Sequence, residues 1–282
     1  MSEVPEGPTV LRRMLGAQLR KLRDQRGISA KDAAKAIRAS ESKISRIELG
    51  RNAIREIDVL DLLTLYGVGP AEREQLLNLA EQSSRPGWWH RYSDILPDWF
   101  QAYIGMEEDA HQVRVYEPQL VPGLLQTEEY ASAVLGLCDF PLGEADRHLL
   151  VRKERQRRFT DGDLRLWAIV DEAALRRPVA GYDAQVRQLR SLQSLIGTTK
   201  VTLQIISEST PHATPGAFSV LRFGQHDLPD IAYVENLAGA IYIDKQSDVD
   251  RYQLAMERLC VVACQPRETK QRLEMIIASL IR

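Results

Sequence analysis

The sequence predicts two domains of different class. Residues 1–82 read as an all-α domain, and 83–282 as an α/β domain with a mixed sheet of about five strands flanked by helices. Three observations carry this. Apolar residues recur at three- and four-residue spacing through the first eighty positions, the period of amphipathic helices. A small, polar, turn-forming run, Ser83-Ser84-Arg85-Pro86-Gly87, then interrupts the pattern as a linker. From Leu164 onward, short β-branched or aromatic runs bounded by Gly, Pro or Asp take over, which is the pattern of strands.

Residues 1–8 form an arm ending in Pro8, near the start of the first helix. Leu11, Leu15, Leu19 and Leu22 define a helix from Thr9 to about Arg26, and Gly27 ends it. A second helix starts at Ser29, with Asp32 completing an S-x-x-D cap, and Ala33, Ala34 and Ile37 form a small apolar stripe that permits close approach. Arg38-Ala39 is the turn. Ser40 caps a third helix in which Ile44 and Ile47 face inward, Glu41, Ser42, Lys43, Ser45 and Arg46 face out, and Gly50 is the stop. Val59, Leu60, Leu63 and Tyr66 mark a fourth helix closing on Gly67, and Leu76, Leu77 and Ala80 a fifth ending near Gln82. A helix held by two isoleucines, with hydrogen-bonding side chains outside, suits a DNA major groove.

Charge agrees. Leu11–Arg55 holds 13 Lys or Arg against four acids, +9, while the remainder carries 24 basic and 35 acidic residues, −11. A basic module on an acidic body is what phosphate binding at one end requires.

The stretch 9–68 resembles the Xre-type, lambda-repressor-like helix-turn-helix domain of phage repressors and many bacterial regulators. The resemblance rests on Ser29-Ala30-Lys31-Asp32-Ala33-Ala34, Ser40 through Glu48, Gly50 and Tyr66-Gly67-Val68. It implies that the third helix enters the major groove of double-stranded DNA. Glu41, Ser42 and Arg46 are then expected at base edges, Arg46 on guanine O6/N7 and Glu41 on cytosine N4. Ser29, Arg38, Ser40, Lys43 and Arg51 are expected on phosphates, with Ser45 on the same outer face. Two departures stand out. Members commonly carry Gly in the turn where this chain has Arg38, and often a DNA-contacting Gln where it has Ala30.

Apolar content of 44% and charged content of 27% are ordinary for a globular protein. No uncharged apolar run approaches the roughly 18–20 residues of a membrane span. The N-terminus lacks a basic segment followed by an apolar one, so no secretion signal is expected. Three cysteines, an odd number outside any framework, fit a reducing cytoplasm.

After the linker come Trp88, Trp89, Tyr92, Trp99, Phe100 and Tyr103, dense for a chain that is 6% aromatic. Such a cluster is either a stacking platform for single strands or, more commonly, domain packing. Helices are expected over Ile104–Val115, Thr127–Leu137 and Glu144–Phe159, with an extended crossing through Pro118, Pro122 and Gly123. The run Arg152 to Arg158 is either a second basic patch or a set of internal ion pairs. Strands are expected at Leu164–Val170, Val201–Ile206, Phe218–Phe223, Ile231–Val234 and Ala240–Ile243. A crossover helix from about Asp183 to Leu195 separates the first two, and helices from about Ser247 to Cys264 and Arg267 to Ile281 finish the chain.

Residues 88–280 also carry a resemblance. Trp88-Trp89, Tyr116-Glu117-Pro118, the string Val121-Pro122-Gly123-Leu124-Leu125-Gln126-Thr127-Glu128-Glu129-Tyr130-Ala131, Arg152 to Gln156, Asp171 to Arg177 and Tyr233-Val234-Glu235 resemble the C-terminal domain of unknown function in actinobacterial Xre-type regulators. These are the WhiJ-like regulators, similar to Scr-type antitoxin-like regulators. The resemblance implies a developmental or antibiotic-linked transcription regulator, often encoded beside a small partner protein.

Asp171, Glu172 and Glu235 at strand ends, with His212, Asp227 and Asp230 in loops, are the residues a metal-dependent hydrolase would use. No H-E-x-x-H, C-x-x-C pair, Gly-rich phosphate loop or G-x-S-x-G accompanies them, and Asp171-Glu172 suits a helix cap. Cys260 and Cys264, one turn apart, read as packing. The expectation is a sequence-specific transcription regulator: no enzyme, no cofactor, no membrane, a homodimer with half-sites about one helical turn apart. The alternatives are an antitoxin-like protein that sequesters a small partner, and a DNA-targeted hydrolase.

Overall fold

The computed structural model describes residues 8–50, 54–213, 216–224 and 228–281. The chain divides into two compact units, Met1–Ser93 with Phe100–Asp109, and Asp94–Trp99 with Ala110–Arg282.

The first unit is helical: α1 (Pro8–Gln25), α2 (Ala30–Ala36), α3 (Glu41–Glu48), α4 (Glu56–Leu65) and α5 (Pro70–Ser83), then a 3₁₀ turn at Trp88–Tyr92 and most of α6 (Asp98–Asp109). Most of the expected stripes lie in its core: Leu15, Leu19, Ile44 and Leu63 are fully buried, each worth about 1.5–3 kcal/mol. In α4, Leu62 takes the buried place expected of Leu60, which is only half-buried. Three helices close with the same two bonds across a left-handed residue. Gly27 closes α1, Arg38 closes α2 and Gly67 closes α4. In this unit Trp89 is core: a Cβ on Gly87 or Gly105 would come within 3 Å of its indole. The Val10 amide, an orphan donor of α1, donates to Asp109 Oδ2 at 2.8 Å, and Arg12 Nε donates to the Ser83 carbonyl at 2.9 Å.

The second unit holds one mixed sheet of six strands, not about five: β1 (Gln112–Glu117), β2 (Arg165–Asp171), β3 (Val201–Ile206), β4 (Phe218–Arg222), β5 (Ile231–Asn236) and β6 (Gly239–Ile243). Their order is β3-β2-β1-β4-β5-β6. β1, β2 and β3 run parallel, and β4, β5 and β6 are added antiparallel. The additional strand is β1, in the middle of the sheet, where the sequence predicts the end of a helix. The chain leaves the helix at Ala110 and alternates inward and outward from Gln112. Arg114 disguises it, a cation inside a central strand. Its guanidinium lies 4.8 Å over the Trp167 ring and donates to Cys260 Sγ at 3.2 Å.

The helices of this unit are α7 (Glu128–Gly136), α8 (Glu144–Asp161), α9 (Glu172–Arg176), α10 (Tyr182–Leu195), α11 (Gln246–Val262) and α12 (Thr269–Leu280). The α11 residues Met256 and Leu259 pack on Tyr116, Ile169, Phe218 and Val220. The Pro122–Thr127 crossing is pinned by glutamines. Gln188 accepts from the Thr127 amide at 2.6 Å and donates to the Leu125 carbonyl at 2.8 Å. Gln156 donates to the carbonyls of Gly123 and Gln126.

Candidate nucleic-acid interface

Ser29 and Ser40 cap α2 and α3 as their types require, each hydroxyl accepting from the amide three residues on. Ser29 Oγ also donates to Asp32 Oδ2 at 2.7 Å, and that bond leads in holding the exposed Asp32 carboxyl below its usual range. Between the helices the Ile37 cap is followed by Arg38 at φ +51°. The turn keeps the left-handed step that glycine would take, and Arg38 bears its strain.

Three devices that the sequence did not disclose hold α3 in place. The first is Gly16 in α1: a Cβ there would lie 2.4 Å from the Ile47 carbonyl oxygen, so the two helices touch backbone to backbone. The second is Arg23, whose Nε and Nη2 donate to Glu48 at 2.6 and 3.0 Å while Nη1 donates to the Ile28 carbonyl at 2.9 Å. The bidentate bond to Glu48 is the main cause of a guanidinium pKa raised above its ordinary value. The third is Asp58 in α4. Its side chain is only 3% exposed, and it accepts from Arg55 at 2.6 and 3.1 Å and from Lys43 Nζ at 3.2 Å. Arg55's bond is the first cause, and Lys43's a further one, of a carboxyl held below its usual range against the effect of burial.

What these anchors present is an outward face. Ser29, Arg38, Ser40, Glu41, Ser42, Ser45 and Arg46 are exposed, and Lys43 is half-buried. Arg46 lies back along its own helix, Nε on the Ser42 carbonyl at 3.2 Å and Nη2 on Ser42 Oγ at 3.4 Å. Ser42 Oγ is also 3.1 Å from Ser40 Oγ. Arg51 falls outside the described residues. The basic count is less outward than it reads: Arg13 is buried, Arg12 and Arg23 donate inside the unit, and Lys43 and Arg55 meet Asp58. Arg20, Lys21, Arg26, Lys31, Lys35, Arg38 and Arg46 remain exposed.

A helix-turn-helix domain matches residues 14–76, the segment that holds these anchors and this face. A second family, a domain of unknown function named DUF5753, matches residues 100–275. The chain belongs to the DUF5753 family. None of the curated proteins matches it. The helix-turn-helix match supports a DNA-binding regulator, and no described helix is long and apolar enough to cross a membrane.

In the DUF5753 domain Asp171, Glu172 and Asp230 have partners other than a metal or substrate. Asp171 does not cap α9 with its side chain. Its carboxylate accepts from the Tyr116 hydroxyl at 3.0 Å and lies 3.2 Å from His212 Nε2. Glu172 is buried between Arg176 and Arg272. Asp230 accepts from Arg222 at 3.1 Å and Gln253 at 2.7 Å, and Asp227 lies outside the described residues. Among the described residues no group of three or more His, Cys, Asp or Glu is placed to hold a metal ion. Cys260 and Cys264 are half-buried: Cys260 packs against the cluster around Tyr116 and Met256, and Cys264 Sγ accepts from the Ile205 amide at 3.4 Å. The Arg152–Arg158 run is tied up in ion pairs: Arg157 and Arg158 reach Glu154 at 2.7 and 2.9 Å, and Lys153 reaches Glu128 at 2.9 Å. Arg157's hydrogen bond is the leading cause that takes the Glu154 carboxyl down to about 2.

Proposed function

We propose that this DUF5753 protein is a sequence-specific transcription regulator that reads double-stranded DNA with α3. The observation that carries the reading is the outer face of that helix, polar and exposed while its ends are fixed by Gly16, Arg23 and Asp58. A helix anchored from behind with polar side chains on its outer face is what base readout needs. Arg46 leaves its resting place on Ser42 to chelate guanine, with Glu41 and Ser42 beside it at base edges. Ser29, Arg38, Ser40 and Arg51 hold phosphates. Lys43 keeps one donor on Asp58 and offers the others to the DNA backbone, and Ser45 lines the same surface.

The DUF5753 domain mediates homodimer formation and takes a small partner protein or signal. The resemblance of its glutamine-pinned Pro122–Thr127 string to WhiJ-like actinobacterial regulators supports a partner encoded nearby. It acts by binding, not by catalysis, in the cytoplasm. Selecting bound sequences from a random duplex pool tests the reading. One motif is expected to emerge, and Arg46→Ala is expected to cost about 1–3 kcal/mol and relax specificity at one position. A variant as tight and as selective as the wild type removes Arg46 from the interface.

A further inference from the structure

On α11, Asp250, Arg251, Leu254, Glu257, Arg258 and Val261 are spaced to share one helix face, opposite the buried Met256 and Leu259. All six are exposed, and two are apolar: Leu254 is 48% and Val261 84% accessible. Among the described residues Glu257 and Arg258 enter no ion pair, and Arg251 only reaches Asp248 at 3.9 Å. The order of charge around Leu254 is the informative part. Going outward, an acid stands four residues before it and a base three before, then an acid three after and a base four after.

We propose that α11 is the face through which two copies of this chain pair, antiparallel about a two-fold axis at Leu254. In that arrangement Leu254 meets the partner's Leu254. Arg251 faces the partner's Glu257, and Asp250 faces the partner's Arg258, with both pairs repeated by symmetry. A parallel pairing would set every charge against its own copy, so the pattern selects the antiparallel one. One helix face is smaller than a standard interface of about 800 Å² per partner, so the pairing is reversible, with a dissociation constant on the order of micromolar. The inference rests on the dimeric regulator proposed above and names the surface that joins it.

Charge exchange on the full chain tests it by sedimentation over a concentration series. Arg251→Glu alone, and Glu257→Arg alone, are each expected to weaken association about tenfold or more by placing like charges together. The double exchange, Arg251→Glu with Glu257→Arg, restores it. These side chains are exposed, so cooperative melting should match the wild type. If one variant does not fold, Asp250→Arg with Arg258→Asp tests the same axis. A wild type that stays monomeric throughout the series, single variants that still pair, or a double exchange that fails to recover overturns the proposal. Duplex binding separates it from the functional reading. Variants that remain dimers on a duplex the wild type binds sink the pairing alone. Exchange and rescue in a protein that selects no duplex sink the regulator alone.

Discussion

The Ala39 amide donates to the Ala34 carbonyl at 2.8 Å, closing α2 over a single left-handed residue, Arg38. Gly27 and Gly67 fill that place at the ends of α1 and α4 without strain. An arginine there costs about 1–2 kcal/mol, against a smaller entropy penalty for glycine. Arg38→Gly should therefore raise stability by about 1 kcal/mol, read by denaturant melting. If Arg38 meets a phosphate, the same change weakens duplex binding and lowers the salt slope by about one. Stability and affinity moving in opposite directions is the expected outcome. Affinity and slope both unchanged would free Arg38 of any role on DNA.

Gly16 makes the opposite demand. Alanine is usually the better helix former, by about 1 kcal/mol. Here its methyl would meet the Ile47 and Glu48 carbonyl oxygens at 2.4 and 2.7 Å, and backbone cannot give way as a flexible side chain would. Gly16→Ala is expected to cost about 2–3 kcal/mol of stability and to weaken duplex binding beyond that loss, because α3 is pushed off its seat. Melting at or above the wild-type temperature would refute the close approach.

Lys43 joins the recognition helix to the buried Asp58, and Arg55 completes the cluster. Asp58's lowered pKa means that its contribution to stability is present above the unfolded carboxyl's pKa and is lost as pH falls through the folded one. Lys43→Ala should cost about 1–2 kcal/mol near neutral pH, and the deficit should close in acid. It should also lower affinity for all sequences alike and flatten the salt dependence by about one. Unfolding curves at several pH values and a salt titration read the two effects separately. A slope equal to wild type would assign Lys43 wholly to Asp58.

Much of the helix-turn-helix region was legible because its signals are local. Ser29 and Ser40 accept from amides three residues away, Ile44 and Ile47 repeat with the helix period, and the glycines end helices where the chain must turn left-handed. β2 to β6 were legible for the same reason, as apolar runs between breakers. What escaped depends on residues far apart in sequence. Nothing beside Gly16 in the sequence announces the Ile47 carbonyl it meets, and nothing beside Asp58 announces Lys43, fifteen residues before it. β1 was hidden because Gln112-Val113-Arg114-Val115 follows closely on α6 and reads as its last turns. The environment that marks Arg114 as a strand residue, Trp167 above and Cys260 beyond, comes from another strand and a helix. Asp171 looked like a cap because it precedes a short helix, yet Tyr116 takes its carboxylate sideways.

Glu117, at the end of β1, gives the last prediction. Burial, with the charge of Glu235 adding to it, pushes its carboxyl up from the usual 4.5 to about 7. The folded chain therefore holds this proton after the unfolded chain has released it. Between those two values stability falls as pH rises, and above the higher one the full penalty is present. Glu117→Gln keeps the shape and removes the titration. It should match the wild type near pH 4 and become more stable by about 1–3 kcal/mol at pH 8. Denaturant unfolding at pH 4, 6 and 8 checks this. A stability difference that does not change with pH would mean that Glu117 titrates as it does in the unfolded chain, and that the end of β1 is open to water.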